Sequence, residues 1–280
     1  MIGSEMENST LKIFLLPALG VDGNYYAPLI EGLKSELSAD VSILSPPGPG
    51  TLGQRLTASV KVGYPEMVDE ICSAVQQYKH EHPKHSVLLM GHSLGAHFAM
   101  LVAAKLGPML RGVVLVAAGS PHWGAWPAQE QTRLRRGVRL INVLTTLLPW
   151  YPGEIVGFGG NQSRKLMRDW CRYATTGQLF ALRGLGALRS TAGELTLPIL
   201  TVYVQGDTLA PALATDQLLC DFGKISRTSA TLHTDQLPDV PAQRRHFAWC
   251  RQPGPVCRMV ASWMSDLQTI DNPKTLVPTR

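Results

Sequence analysis

No apolar run in this 280-residue sequence approaches the ~20 residues that a membrane-spanning helix needs, so no transmembrane segment is expected. Charge is scarce. Asp, Glu, Lys and Arg make up 17% of the residues, against roughly 25% in ordinary soluble domains. Hydrophobic residues make up 45%, so much of the chain should be buried or should line an apolar pocket. Cysteine occurs five times (Cys72, Cys171, Cys220, Cys250 and Cys257), an odd number, and never as C-x-x-C. That argues against a metal site and against a disulfide framework, and for reduced, mostly buried thiols. Internal repeats and low-complexity segments are missing. The first ten residues carry no Lys or Arg, unlike a secretory signal, so a cytoplasmic location is expected. Nucleic-acid motifs are missing too, although the net charge is +5. The positive excess is local: from Pro121 to Leu195 there are ten Lys and Arg against four Asp and Glu. It reads first as a solvated helical face, and second as a weak membrane-surface contact through residues 133–148.

Against this background one pentapeptide stands out, Gly91-His92-Ser93-Leu94-Gly95. It follows the apolar run Ser86–Met90 and opens a helix-like run, Ala96–Ala104. A sharp strand-to-helix turn strains its central residue and pushes that side chain out at the end of a sheet. Gly91, Gly95 and Ala96 are small because strand and helix crowd one another there. The expected result is an exposed serine hydroxyl at the positive end of a helix.

The rest of the chain alternates strands and helices. Leu11–Leu16, Val41–Leu44, Gly112–Ala118 and Pro198–Val204 read as strands, and Thr228–His233 as a last one. Tyr26–Leu37, Pro65–Lys79 and Val256–Leu267 read as helices. Strands apolar on both faces require a parallel sheet covered by helices. From Ser120 to about Thr196 no strand is evident; Leu134, Val138, Ile141 and Leu144 share one helical face there, in a helix that Pro149 and Pro152 end. The expectation is an α/β architecture: a doubly wound, mostly parallel sheet with a helical lid insertion. Its core spans 11–119 and 197–268, the lid 120–196, and 1–10 and 269–280 are flexible termini.

A serine hydroxyl needs a base within hydrogen-bond reach and an acid to orient that base. In such sheets both follow the serine in chain order. Asp207, in Gly206-Asp207-Thr208, comes directly after the Pro198–Val204 strand and is the preferred acid, ahead of Asp216 and Asp235. Of eight histidines, His246 sits in a loop after the last strand and before the last helix, where a base must hang; His233 is the alternative. The backbone N–H groups of Leu94 and Leu19 are the expected oxyanion donors. Trp123, Trp126 and Trp150 of the lid suggest an apolar acyl pocket.

These residues resemble the α/β-hydrolase superfamily, and more closely a predicted α/β-hydrolase branch related to serine aminopeptidase-type sequences. The likeness is carried by Leu16–Val21 with Tyr25-Tyr26, by Gly91–Gly95, and by Ala117–Trp123 with Trp126-Pro127. Arg168–Cys171 and His246–Trp249 extend it. It implies an α/β-hydrolase fold with Ser93, Asp207 and His246 as its triad. The sequence departs from that branch at Ser45–Gly50, where relatives tend to carry an Asp-Tyr-Arg-Gly-like turn, and at Arg245, where a small residue is usual. The expected activity is hydrolysis of an ester, thioester or small amide through an acyl-enzyme, with a small-molecule acyl substrate and no metal or organic cofactor. The alternatives are an acyltransferase with the same nucleophile and a non-catalytic ligand-binding protein.

Overall fold

The computed structural model describes residues 10–44 and 61–271. The Ser45–Gly50 turn and most of the two termini expected to be flexible lie outside the described residues. In chain order the first half runs β1 (Leu11–Leu16), α1 (Ala27–Leu37), β2 (Asp40–Ile43), α2 (Tyr64–Glu81), β3 (Ser86–His92), α3 (Leu94–Leu106) and β4 (Gly112–Val116). Four helices and two short strands follow: α4 (Ala128–Leu147), β5 (Trp150–Pro152), α5 (Gly153–Val156), β6 (Asn161–Ser163), α6 (Arg164–Thr176) and α7 (Leu188–Gly193). The chain then runs β7 (Pro198–Val204), α8 (Ala212–Leu219), β8 (Ser226–Leu232), α9 (Ala242–Ala248) and α10 (Gly254–Asp271).

Six strands form one sheet in the order β2-β1-β3-β4-β7-β8, and every pairing is parallel. Alternation along the strands feeds two cores. Phe14, Leu16, Leu89, Val113 and Ile199 pack under α2 and α3. Ile13, Leu15, Met90, Val114 and Leu200 pack under α1 and α10. Both faces are apolar, as a parallel sheet between helical layers requires. The chain adds β2 on one side of β1 and all later strands on the other. The crevice beyond the carboxyl ends of β1 and β3 is therefore the topological switch point, where ligands of such sheets bind.

The segment between β4 and β7 divides in two. α4 and α6 pack on each other around Val138, Ile141, Met167 and Cys171, forming a small core separate from the sheet. Further on, Leu179, Phe180, Leu182, Leu185 and Ala192 join the α2–α3 core, and α7 lies against α3. One expectation needs correction here. The segment does contain strands: β5 and β6 pair antiparallel, Tyr151 opposite Gln162. Three-residue strands are too short to show a period of two, and Pro152 within one of them reads as a breaker.

Candidate active site

β3 delivers Ser93 to the switch point. Its backbone sits at φ 53°, ψ −113°, between the end of β3 and the first turn of α3. A non-glycine residue at positive φ costs of order 1–3 kcal/mol and persists only where its surroundings hold it. Here they do. The Ser93 N–H donates to Val116 O at 3.1 Å, and Ala96 N–H donates to Ser93 O at 3.0 Å. A Cβ on Gly91 would stand 2.5 Å from Ala96 Cα, and one on Gly95 would overlap the carbonyl oxygen of Leu16. The glycines are fixed by these close approaches.

β7 delivers Asp207. Its Oδ1 accepts the N–H groups of Leu209 (2.7 Å) and Ala210 (3.2 Å), which locks the carboxylate. Its Oδ2 is left for His246 Nδ1, 2.7 Å away, and the two side chains are 1% and 3% exposed. Since a carboxylate accepts, Nδ1 is the donor, which in the neutral ring puts the lone pair on Nε2. His246 itself lies within α9, a short helix that Pro241 introduces, and not in a loop. His233, the alternative base, is an exposed residue just past β8, bonded through its own N–H to Gln236.

Ser93 and His246 line one cavity of about 400 Å³, together with Leu19, Leu94, His97 and Trp126. Leu19 and Gly20 are the central residues of a turn closed by Val21 N–H donating to Ala18 O at 3.2 Å, with Gly20 at φ 71°. The N–H of Leu19 takes no part in that turn bond. The N–H of Leu94 begins a helix and has no partner within it.

Two histidines not expected in the site are built into it. His92 Nε2 lies 3.0 Å from His246 O, and its Nδ1 lies 2.8 Å from the Tyr26 hydroxyl, which also accepts the Ala18 N–H at 2.8 Å. A carbonyl only accepts, so His92 donates from Nε2 and receives the Tyr26 O–H at Nδ1. His97 repeats the arrangement: Nε2 donates to Gly119 O at 2.9 Å, and Nδ1 receives the Tyr64 O–H at 2.9 Å. Burial holds both rings neutral. It pulls His92 well below the usual histidine range, with the neighbouring His246 adding to the effect, and pulls His97 down to about 4. Neither clamp has a local sequence signal, because Tyr26 and Tyr64 act across 66 and 33 residues.

The tryptophan expectation is corrected in part. Trp126 lines the cavity and donates from its indole N–H to Ser120 O at 3.1 Å. Trp123 instead packs on the α4–α6 core beneath the Arg135 guanidinium, and Trp150 is 37% exposed on β5. Trp170 of α6 and Phe158, after α5, do line the cavity. The amphipathic pattern of α6 is the signal that would have pointed to Trp170. Among the described residues no group of His, Cys, Asp and Glu has the arrangement of a metal site, and no helix is long and apolar enough to cross a membrane.

Known structures share this arrangement of elements. A monoacylglycerol lipase from Paleococcus ferrophilus is 17% identical, with a TM-score of 0.57 over 92% of this chain and 94% of that one. A putative lipase from Acinetobacter baumannii is 15% identical, with a TM-score of 0.55 over 94% and 86%. A haloalkane dehalogenase variant from Bradyrhizobium elkanii is 12% identical, with a TM-score of 0.56 over 95% and 92%. At such identities the likeness is one of fold. The family model for the alpha/beta hydrolase family matches residues 13–267, from the first strand to the last helix. The chain is therefore a member of the alpha/beta hydrolase family.

Proposed function

We propose that this protein is a serine hydrolase that cleaves an ester, thioester or small amide through an acyl-enzyme. The observation that carries the reading is the buried 2.7 Å pair of His246 Nδ1 and Asp207 Oδ2 beside the cavity into which the strained Ser93 opens. In this reading Ser93 Oγ attacks the carbonyl carbon while His246 Nε2 takes its proton. The C–O, C–S or C–N bond then breaks, and the imidazolium returns the proton to the leaving group. Water repeats the sequence and frees the acid. Asp207 keeps the imidazole in the tautomer this needs and stabilises the imidazolium. The N–H groups of Leu94 and Leu19 receive the oxyanion, and one such donor is worth about 3–4 kcal/mol in the transition state.

The alpha/beta hydrolase family and the lipase neighbours support hydrolysis; the serine as nucleophile is our inference from the site. Labelling with a fluorophosphonate probe tests it. The native chain should label and turn over p-nitrophenyl octanoate, and Ser93→Ala should do neither. Equal labelling of both would remove Ser93 from the role. A folded native chain that neither labels nor hydrolyses any acyl substrate would leave a binding protein on a hydrolase fold.

A further inference from the structure

Three cavities adjoin along the carboxyl edge of the sheet, and they differ in chemistry. The first, about 210 Å³, lies within the lid between α4 and α6, and Leu134, Val138, Ile141, Val156 and Phe158 make it apolar. It shares Arg133, which is paired with Glu130, and Leu134, Phe158, Trp170 and Leu209 with the second, which holds Ser93 and His246. The second shares Leu19, Gly159, Gln243 and Phe247 with the third, of about 660 Å³. The third is lined by Arg244 of α9 and by Arg251 just beyond it, with Tyr25 and Gln243 between them.

The charge in this third cavity is net positive, two arginines against Asp22. Lys12, Lys105, Lys165, Lys224 and Arg227 each sit against a carboxylate. Among the described residues no carboxylate pairs with Arg244 or Arg251. Arg251 lies 5.9 Å from the centre of the Tyr25 ring, which steadies it without neutralising it. Asp22 is the one acid on the wall; it caps the Asn24 N–H through Oδ1 at 2.8 Å and leaves the wall with a net positive charge. Arg245, between the two, is turned elsewhere, onto Gly206.

From this we infer that the substrate is an amphipathic acyl compound whose leaving group carries a phosphate, bound by Arg244 and Arg251, with its acyl chain in the lid cavity. The inference rests on the acyl-enzyme reading above. It places the scissile carbonyl between two sites of opposite character. Guanidinium groups suit a phosphate because their fork of N–H donors matches its oxygens. Such a leaving group belongs either to a soluble phosphorylated thiol or to a glycerophosphate.

Paired substrates test the inference and separate the two sources. Octanoyl-coenzyme A is compared with the neutral octanoyl-N-acetylcysteamine, and 1-octanoylglycerol 3-phosphate with 1-octanoylglycerol. One phosphorylated member should be preferred in kcat/KM by roughly tenfold, the size of one charge-assisted hydrogen bond. The pair that shows the preference identifies the source. The double variant Arg244→Gln/Arg251→Gln should bring that ratio close to one with its thermal midpoint unchanged, and 0.5 M NaCl should narrow it in the native chain. Ratios near one in both pairs, with p-nitrophenyl octanoate still hydrolysed, overturn the inference, as does a preference that survives the double variant. Loss of p-nitrophenyl octanoate turnover in the native chain is a different failure, that of the hydrolase reading.

Discussion

Helix α3 buries every residue but Lys105, whereas α4, on the far side of the cavity, buries only Val138, Ile141 and Thr145 along its twenty residues. α3 is apolar all round because the sheet, α2 and α7 enclose it. α4 leaves Leu140 48%, Val143 54% and Leu147 74% exposed. The first region is over-determined: removing one contact leaves many others to hold the backbone at Ser93. The second is held on one stripe, by α6, by β5 and by the turn at Trp123–Ala125, and leaves the rest of its surface open. The backbone is enclosed on every side where Ser93 is held, and exposed along much of the helix that walls the apolar cavity.

That contrast can be broken in three places. Asp207→Asn should have the largest effect. It would keep the fold and lower kcat by about 10⁴-fold, because the amide no longer enforces the His246 tautomer. A loss of less than tenfold, with circular dichroism and thermal midpoint unchanged, would show that the rigid side does not set the rate.

His97 gives the next test. Its folded value of about 4 lies below the ordinary 6.5, so below pH 6.5 the unfolded chain takes up a proton that the folded chain refuses. The stability due to neutral His97 is complete above pH 6.5 and is lost as pH falls towards 4. At pH 4.5 the share of the loss due to His97 should be about 3 kcal/mol, read as the difference between the native chain and His97→Gln in urea unfolding. His97→Gln should flatten that slope. A variant as steep as the native chain would assign the acid sensitivity elsewhere.

The smallest effect belongs to the lid. Leu140→Ser should change stability by no more than about 0.5 kcal/mol. It should also lower kcat/KM for p-nitrophenyl octanoate relative to the acetate by roughly fivefold, from lost apolar contact in the lid cavity. A destabilisation like that of a core substitution would erase the distinction between the two helices.

Much of this architecture was legible in the residues themselves. β1 and β7 match the expected strands end to end, since both are apolar on both faces and each is bounded by turn residues. The serine turn was legible because an apolar strand-like run precedes those glycines and a helix-like run follows them. Asp207 and His246 could be selected by chain order, and the structure brings them within hydrogen-bond distance. What the sequence hid depends on contacts between distant residues. Nothing near Tyr26 reveals that its hydroxyl will meet His92, and nothing near Trp150 tells that it will face outward while Trp170 faces the cavity. His246 read as a loop residue because α9 is only seven residues long, too short to show a helical period.

The seam between the lid and the turn after β1 has one more consequence. A Cβ on Gly20 would overlap the Gly159 backbone, one on Gly153 would overlap Gly160 O, and Gly159 and Gly160 hold φ values of 72° and 61°. Main chain rests on main chain there, with the Leu19 side chain wedged alongside. Such a joint cannot be loosened gradually by swinging a side chain aside: it is either seated or parted. Any displacement of the Gly159–Gly160 backbone would therefore withdraw support from the Leu19–Gly20 turn in the same stroke.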